Sequence, residues 1–156
     1  MTIFDKLWNN WPTEARDVLF NSLGGNWPSL YPNDNYKNTC TIRFSVALNR
    51  SGYKVPASLS DGGHKDQEGN SIAVRVPTGE SLARNFFGES YWGMNRNPGS
   101  PIDLTNVPRE NGLLIYKVRV GDANGHVDLW KKNDCLIDCH ASFAAASYEL
   151  AFWKLA

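Results

Sequence analysis

The chain has 156 residues, enough for one domain with a substantial core, and we expect residues 1–156 to form that single domain. Its apolar content of 42% is ordinary for a globular protein, and 16 basic and 16 acidic residues cancel to a formal net charge of zero. This balance argues against a binder of nucleic acid or membrane surfaces. No apolar run approaches the roughly 20 residues that span a bilayer, so membrane insertion is not expected.

Two short helices are predicted near the N-terminus. Residues 4–11 carry apolar side chains at helical spacing, and Pro12 ends the segment. Residues 13–23 have a similar pattern and stop at a pair of glycines. Residues 26–38 are rich in Asn, Pro and Tyr, so we expect a loop there.

The clearest predicted helix covers residues 39–50. Asn38 or Thr39 can cap its start, and Gly52 stands where a C-cap belongs. Apolar side chains supply much of one helical face. Cys40 is therefore predicted in the first turn of this helix.

The rest of the chain is predicted to be mostly strands joined by turns. The segments are, in chain order, a strand over 72–76, a helix over 78–87, a long loop over 89–111, a strand over 113–120, a turn over 121–125, a strand over 126–130, and a compact loop or single helical turn over 135–140. A final strand over 148–153 competes with a helix from residue 144. Helices first and hairpin-linked strands later indicate an α+β fold.

The three cysteines are distributed as a near pair, Cys135 and Cys139, and a distant singleton, Cys40. This spacing predicts one disulfide and one free thiol. Four residues apart in a helical turn, the α-carbons of the pair lie about 6 Å apart, which is within disulfide range. Disulfides persist in oxidising compartments, yet the N-terminal segment has no features of a signal peptide. Together these observations hint at an unconventional route of export.

The predicted position of Cys40 suits a nucleophile. A helix N-terminus favours the thiolate, because its N–H groups and partial positive charge stabilise a negative charge. The backbone N–H of Cys40 can also help to hold an oxyanion. The alternative is an inert, buried core residue, which describes most free cysteines.

A cysteine nucleophile needs a base, and His126 is the best placed of three histidines. It begins a predicted strand directly after a turn, which is a good platform for a catalytic base. A histidine that only satisfies a strand end is the alternative. His64 lies in a polar loop and is expected at the surface, and His140 flanks the cysteine pair.

Three carboxylates are candidates to orient His126. Asp128 shares its strand face two residues on, while Asp134 and Asp138 follow the strand. The predicted disulfide would stiffen the loop that presents Asp138, which favours that residue. The other two acids stay open as alternatives.

Two other classes of protein compete with an enzyme. One is a zinc-binding module that uses Cys135, Cys139, His140 and His126, although adjacent ligands at 139 and 140 are awkward for one tetrahedral site. The other is a non-catalytic binding domain stapled by the disulfide, in which Cys40 is buried and inert.

Several segments resemble one known family. Residues 38–52, NTCTIRFSVALNRSG, resemble the nucleophile helix of the fourth family of type VI secretion amidase effectors, which are papain-like enzymes related to NlpC. Other similar segments are the opening LWNNWP at 7–12, GHVDLW at 125–130, the acid bracketed by two cysteines, and FWKL at 152–155.

The resemblance implies a papain-like, NlpC-type fold, in which N-terminal helices include the nucleophile helix packed on an antiparallel sheet. It implies Cys40 as nucleophile, His126 as base and Asp138 as the orienting acid. No metal or cofactor is needed for this chemistry. As further oxyanion donors we expect Asn38 and Tyr36.

Two tryptophans, Trp92 and Trp130, can line the substrate groove, although tryptophans in a small domain more often belong to the core.

The resemblance also implies a substrate and partners. The substrate is the stem peptide of Gram-negative peptidoglycan, cut between D-glutamate and meso-diaminopimelate. The protein is expected to be made in the cytoplasm, delivered by a type VI apparatus into the periplasm of a rival cell, and blocked by a cognate immunity protein. Such delivery would account for both the missing signal peptide and the predicted disulfide.

Overall fold

A computed structural model describes residues 1–96, 101–120, 123–139 and 147–155. The helices are α1 (Ile3–Asn10), α2 (Arg16–Leu23), α3 (Trp27–Leu30), α4 (Cys40–Arg50) and α5 (Val76–Phe87). The strands are β1 (Trp92–Arg96), β2 (Asn111–Val120), β3 (Ala123–Lys131) and β4 (Tyr148–Lys154). Short 3₁₀ turns lie at Asp34–Tyr36 and Ala57–Leu59.

The four strands form one antiparallel sheet in the order β1-β4-β2-β3. Strands β2 and β3 form a hairpin that places β3 at an edge, with Tyr116 opposite His126 in the register. Because side chains alternate along a strand, residues 126, 128 and 130 share one face of β3.

Helix α4 lies at the centre of the molecule, and its residues Cys40 to Asn49 are all buried. Side chains from α1, α4 and α5 pack with one face of the sheet in the main core, which includes Leu7, Phe44 and Leu113. The outer side of α4 packs on α2 and α3. The predicted α+β fold is thus present, with the helix that begins at Cys40 packed against the sheet.

The predicted strand over 72–76 is wrong. Residues 73–75 pair with side chains instead of a strand: Ala73 N–H donates to Ser45 Oγ at 3.0 Å, and Asp61 Oδ2 accepts from the backbone N–H groups of Val74 and Arg75. Val76 already begins α5. Side-chain acceptors from distant segments, Ser45 in α4 and Asp61, have replaced a ladder here, which an apolar run cannot reveal.

Two predicted loops contain regular structure. The segment 26–38 holds α3, and the segment 89–111 holds β1, which pairs with β4. Within the latter, residues 97–100 lie outside the described residues.

The final strand is confirmed as β4, so the competing helix is wrong over 148–154. Residues 144–146 of that helix, residues 121–122 of the predicted turn and His140 are outside the described part of the chain.

In the described ranges, no helix is both long and apolar enough to cross a membrane.

Candidate active site

Cys40 opens α4 and is 5% exposed. Its backbone N–H donates to Asn38 Oδ1 at 3.2 Å, so Asn38 rather than Thr39 caps the helix through its side chain. The same Asn38 amide donates from Nδ2 to the carbonyl of Gly125 at 3.1 Å. One side chain therefore ties the start of α4 to the residue that precedes His126.

Gly125 directly precedes His126 in β3, at a point where the backbones of β2 and β3 lie very close together. Its φ is +130°, and an added Cβ would collide with the carbonyl oxygen of Tyr116. Only glycine combines this φ with so close an approach of two backbones. His126 follows directly and is 5% exposed.

His126 pairs with Asp128, two residues along the same strand face. The distance between His126 Nε2 and Asp128 Oδ2 is 2.9 Å, and Asp128 is fully buried. Backbone N–H groups also donate to this carboxylate, from Leu129 to Oδ1 at 2.9 Å and from Ile137 and Asp138 to Oδ2 at 2.9 and 3.1 Å. Donors at both oxygens suit an ionised carboxylate, which only accepts hydrogen bonds.

The imidazole of His126 is in contact with both the acid and the thiol. Burial by itself lowers the pKa of His126, but hydrogen bonds to the Asp128 carboxylate and to the Cys40 side chain raise that pKa to about 9. The structure thus joins a thiol, an imidazole and a carboxylate, which is the arrangement of an activated nucleophile.

Among the three candidate acids, the described hydrogen bond of His126 to a carboxylate goes to Asp128. Asp134 is exposed and accepts from the adjacent N–H of Cys135 at 2.9 Å. Asp138 is also exposed, and its backbone N–H supports the Asp128 carboxylate. The role implied for the Asp138 side chain stays a prediction.

The predicted disulfide between Cys135 and Cys139 is confirmed, and Cys40 is a free thiol. Because the disulfide occupies both sulfurs, the zinc hypothesis loses two of its four ligands. Among the described residues, no group of three or more His, Cys, Asp or Glu side chains is placed to hold a metal ion.

Tyr116 is a site residue that sequence reasoning missed. Its hydroxyl donates to the carbonyl of Cys139, and its ring centroid lies 5.6 Å from that of His126. Burial raises its pKa above the ordinary value, so the hydroxyl keeps its proton. The hairpin register, which places Tyr116 opposite His126, is the signal that could have found it.

Arg43 was also missed. It is 8% exposed, and its guanidinium donates to Thr39 Oγ1 at 2.9 Å and to the carbonyl of Pro12 at 3.1 Å. Burial lowers its pKa, while the nearby acids and Cys40 act in the opposite direction. A cation is thus held beside the first turn of α4.

The two tryptophans predicted to line a groove pack against a hydrophobic cluster of the sheet, and their groove roles stay predictions. The Trp130 side chain is 4% exposed and donates to the carbonyl of Pro108 at 2.9 Å. Trp92 is half-buried in β1 and packs against the same cluster.

Tyr36 lies in a second cluster, with His64. Its hydroxyl is 2.8 Å from His64 Nε2, and His64 Nδ1 is 2.9 Å from the carbonyl of Ser60. That carbonyl only accepts, so Nδ1 carries a hydrogen, and the Tyr36 hydroxyl is bonded to Nε2. The predicted oxyanion role of Tyr36 stays a prediction. The expectation of a surface-exposed His64 is wrong, because this residue is half-buried. The predicted oxyanion role of Asn38 stays a prediction.

Comparison with known proteins gives a consistent result. The family model for type VI secretion system (T6SS), amidase effector protein 4 (Tae4), matches residues 36–153. No curated protein sequence matches the chain.

Solved structures with the same fold include the type VI effector Tae4 from Enterobacter cloacae, with a TM-score of 0.83 at 24% identity over 100% of this chain and 98% of that one. Another is Tae4 from Salmonella typhimurium in complex with the immunity Tai4 from Enterobacter cloacae, with a TM-score of 0.82 at 20% identity over 100% of both chains. A third is the Tae4-Tai4 complex from Enterobacter cloacae, at 0.81 and 24% over 100% and 99%. These likenesses confirm the predicted fold class.

Proposed function

Because this chain belongs to the type VI secretion system amidase effector family, we propose that it hydrolyses peptidoglycan stem peptides between D-glutamate and meso-diaminopimelate. The observation that carries the proposal is the buried contact of His126 with both Asp128 and Cys40. A free thiol at a helix start, beside an imidazole that a carboxylate orients, is the equipment for covalent attack on an amide.

In the first half-reaction His126 holds the proton of Cys40, and the thiolate attacks the amide carbonyl carbon. The tetrahedral oxyanion forms near the N-terminus of α4, where the partial positive charge of the helix and the buried Arg43 guanidinium favour negative charge. His126 then gives its proton to the nitrogen, the C–N bond breaks, and the amine leaves. A thioester on Cys40 remains.

In the second half-reaction His126 takes a proton from water, and the hydroxide attacks the thioester. The carboxylic acid product leaves, and the sulfur recovers its proton from His126. The Asp128 carboxylate supports the imidazolium in both half-reactions, because a negative charge stabilises the protonated ring. We therefore assign the orienting role to Asp128, with the Asp138 side chain as the alternative that the family resemblance implies.

The same family membership supports the rest of the proposal. We assign residues 1–156 to one amidase domain, delivered by a type VI apparatus to act in the periplasm of the target cell. Several of the similar solved structures hold Tae4 together with the immunity Tai4, and we propose that an immunity protein also inhibits this chain.

The test is digestion of defined tetrapeptide muropeptides, with products identified by mass. We expect the wild-type chain to release a fragment that begins at meso-diaminopimelate, and Cys40→Ala to release none, because the thioester cannot form. Cys40→Ser is the matched control for the size of the side chain. Cleavage by Cys40→Ala would remove the cysteine mechanism, intact substrate in every sample would remove the amidase, and products cut at another bond would overturn the assigned bond.

A further inference from the structure

The side chain of Asn38 connects the two elements that carry the nucleophile and the base. Its Oδ1 accepts from the backbone N–H of Cys40 at 3.2 Å, and its Nδ2 donates to the carbonyl of Gly125 at 3.1 Å. Cys40 is the first residue of α4, and His126 directly follows Gly125 in β3. These two hydrogen bonds, here called the Asn38 bridge, therefore join the backbone of the nucleophile to the backbone of the residue before the base.

The β3 end of the Asn38 bridge is a well-held point of the sheet. Gly125 pairs with Lys117 in the β2–β3 hairpin, next to the pair formed by Tyr116 and His126. The backbones approach so closely here that a Cβ at Gly125 would collide with the carbonyl of Tyr116. A bond to the Gly125 carbonyl therefore fixes a position relative to His126.

The α4 end of the Asn38 bridge is held differently on its two sides. On the inner side Thr41 is fully buried, and a Cβ added at Gly79 of α5 would lie only 3.2 Å from its Oγ1 and 3.1 Å from Val127 Cγ2. On the outer side Asn38 is exposed, near the end of a segment, residues 31–39, that is mostly exposed. Close packing thus holds the first turn of α4 from the inside, whereas the Asn38 bridge is a polar contact on the open side.

The contact between Cys40 and His126 depends on how α4 and β3 are held together. A base activates a nucleophile only within hydrogen-bond reach of it. A misplacement of about 1 Å at a reacting group can cost roughly 100-fold in rate. A side chain that bonds to both elements beside the site is therefore well placed to control the rate.

We propose that Asn38 is a positioning residue, which holds the thiol of Cys40 against the imidazole of His126 by bonding to the backbones of Cys40 and Gly125 at the same time. In this role Asn38 acts through the backbone and not on the reacting atoms. The inference rests on the proposed function, because the reaction whose rate it controls is the hydrolysis assigned above. A direct role of Asn38 as an oxyanion donor is the alternative that the experiments must separate from it.

Asparagine has the chemistry that this position requires. Its planar amide offers an acceptor and a donor on one short side chain. Serine can also bond to a backbone N–H two residues later, although more weakly, but its single hydroxyl cannot span to Gly125 as well. Alanine makes neither bond. Asn38→Ser and Asn38→Ala therefore separate the bond to Cys40 from the complete bridge.

The first test follows alkylation of Cys40, the free cysteine, by iodoacetamide, with the label assigned by mass spectrometry. The reaction needs the thiolate but forms no oxyanion. The rate at neutral pH is divided by the rate at strongly alkaline pH, so that changes in access to the buried sulfur cancel. We expect this ratio to fall severalfold in Asn38→Ala, because the thiol is no longer held against its base. Asn35→Ala, which replaces another exposed asparagine of the same segment, is the matched control and should keep the wild-type ratio.

The second test measures muropeptide hydrolysis by the two variants of Asn38. We expect kcat/KM to fall by about tenfold in both, the upper end of the effect of one lost hydrogen bond, with KM close to that of the wild-type chain. Circular dichroism checks that both variants are folded. Wild-type kcat/KM in Asn38→Ser would show that the bond to Cys40 is sufficient, and would overturn the bridge.

The two measurements distinguish failure of this inference from failure of the proposed function. A lower alkylation ratio in Asn38→Ala, without hydrolysis by the wild-type chain, would remove the amidase but keep the positioning role. A lower kcat/KM with an unchanged alkylation ratio would overturn the positioning role and assign Asn38 to the oxyanion, because an oxyanion forms only on the substrate.

Discussion

Two histidines of this chain are anchored by hydrogen bonds, but their partners differ in chemistry. His126 lies in the buried site, where it bonds to the Asp128 carboxylate and to Cys40. His64 lies in the second cluster, between the carbonyl of Ser60 and the Tyr36 hydroxyl, with its ring centroid 5.7 Å from that of Trp27.

The partners determine what each ring can do. A carboxylate stabilises the protonated imidazole of His126 and raises its pKa to about 9, so this ring can hold and return a proton. The partners of His64 are instead two uncharged groups, a carbonyl at Nδ1 and a hydroxyl at Nε2. Burial and hydrogen bonding alone therefore do not identify a catalytic histidine, whereas a carboxylate on one side and a nucleophile on the other do.

The largest difference that we expect between the two regions is in the effect on kcat/KM of replacing each histidine by glutamine. We expect His126→Gln to lower kcat/KM for muropeptide hydrolysis by at least about 100-fold, the scale of a lost general base. The matched variant His64→Gln should stay within about twofold of the wild-type chain, since a positioned base is lost only in the first variant. A loss in His64→Gln as large as in His126→Gln would mean that the second cluster belongs to the catalytic machinery.

The pH dependence of kcat/KM tests whether the Asp128 carboxylate raises the pKa of His126. Hydrolysis needs protonated His126 to release the amine, so kcat/KM should fall as the pH rises through the pKa of His126, near 9. In Asp128→Asn the charge that raises this pKa is gone, so we expect the alkaline limb to move to lower pH and kcat/KM to fall about tenfold or more.

Asp138→Asn is the matched comparison for that experiment, because it removes the carboxylate of the other candidate acid and keeps the backbone N–H that supports Asp128. If Asp128 is the orienting acid, as we propose, the alkaline limb should move less in Asp138→Asn than in Asp128→Asn. If the limb moves in Asp138→Asn and stays in Asp128→Asn, the orienting acid is Asp138, as the family resemblance implies.

The smallest expected effect concerns stability. His64→Ala removes two hydrogen bonds and the ring contacts with Trp27 and Tyr36, so we expect the free energy of unfolding to fall by about 1–2 kcal/mol while hydrolysis is retained. Urea denaturation measures the difference, and Tyr36→Phe, which removes only the hydroxyl, should cost less. An unchanged free energy would show that this cluster does not stabilise the fold.

Much of the fold is predictable because its signals are local. The helix that begins at Cys40 follows from apolar spacing and from a capping Asn38, and the β2–β3 hairpin follows from two apolar runs around a turn. Strand β1 was missed because Trp92–Arg96 owes its pairing to β4, more than fifty residues later in the chain. The strand predicted over 72–76 is absent because backbone N–H groups in this segment donate to side chains from distant segments and not to a neighbouring strand.

The features of the site also fall into two groups, those that local sequence determines and those that depend on tertiary packing. The sequence alone determined that one thiol lies at a helix start and that a near cysteine pair forms the disulfide, because helix capping and short loop closure depend on neighbouring residues. Only the tertiary structure decided that the Asp128 carboxylate contacts His126, that the Tyr116 hydroxyl bonds to the carbonyl of Cys139, and that the Trp130 side chain is buried. Those outcomes depend on which faces of a strand, a hairpin and a loop are buried together. A linear pattern places several acids near one imidazole, and the packing of β3 shows that Asp128 is in contact with it.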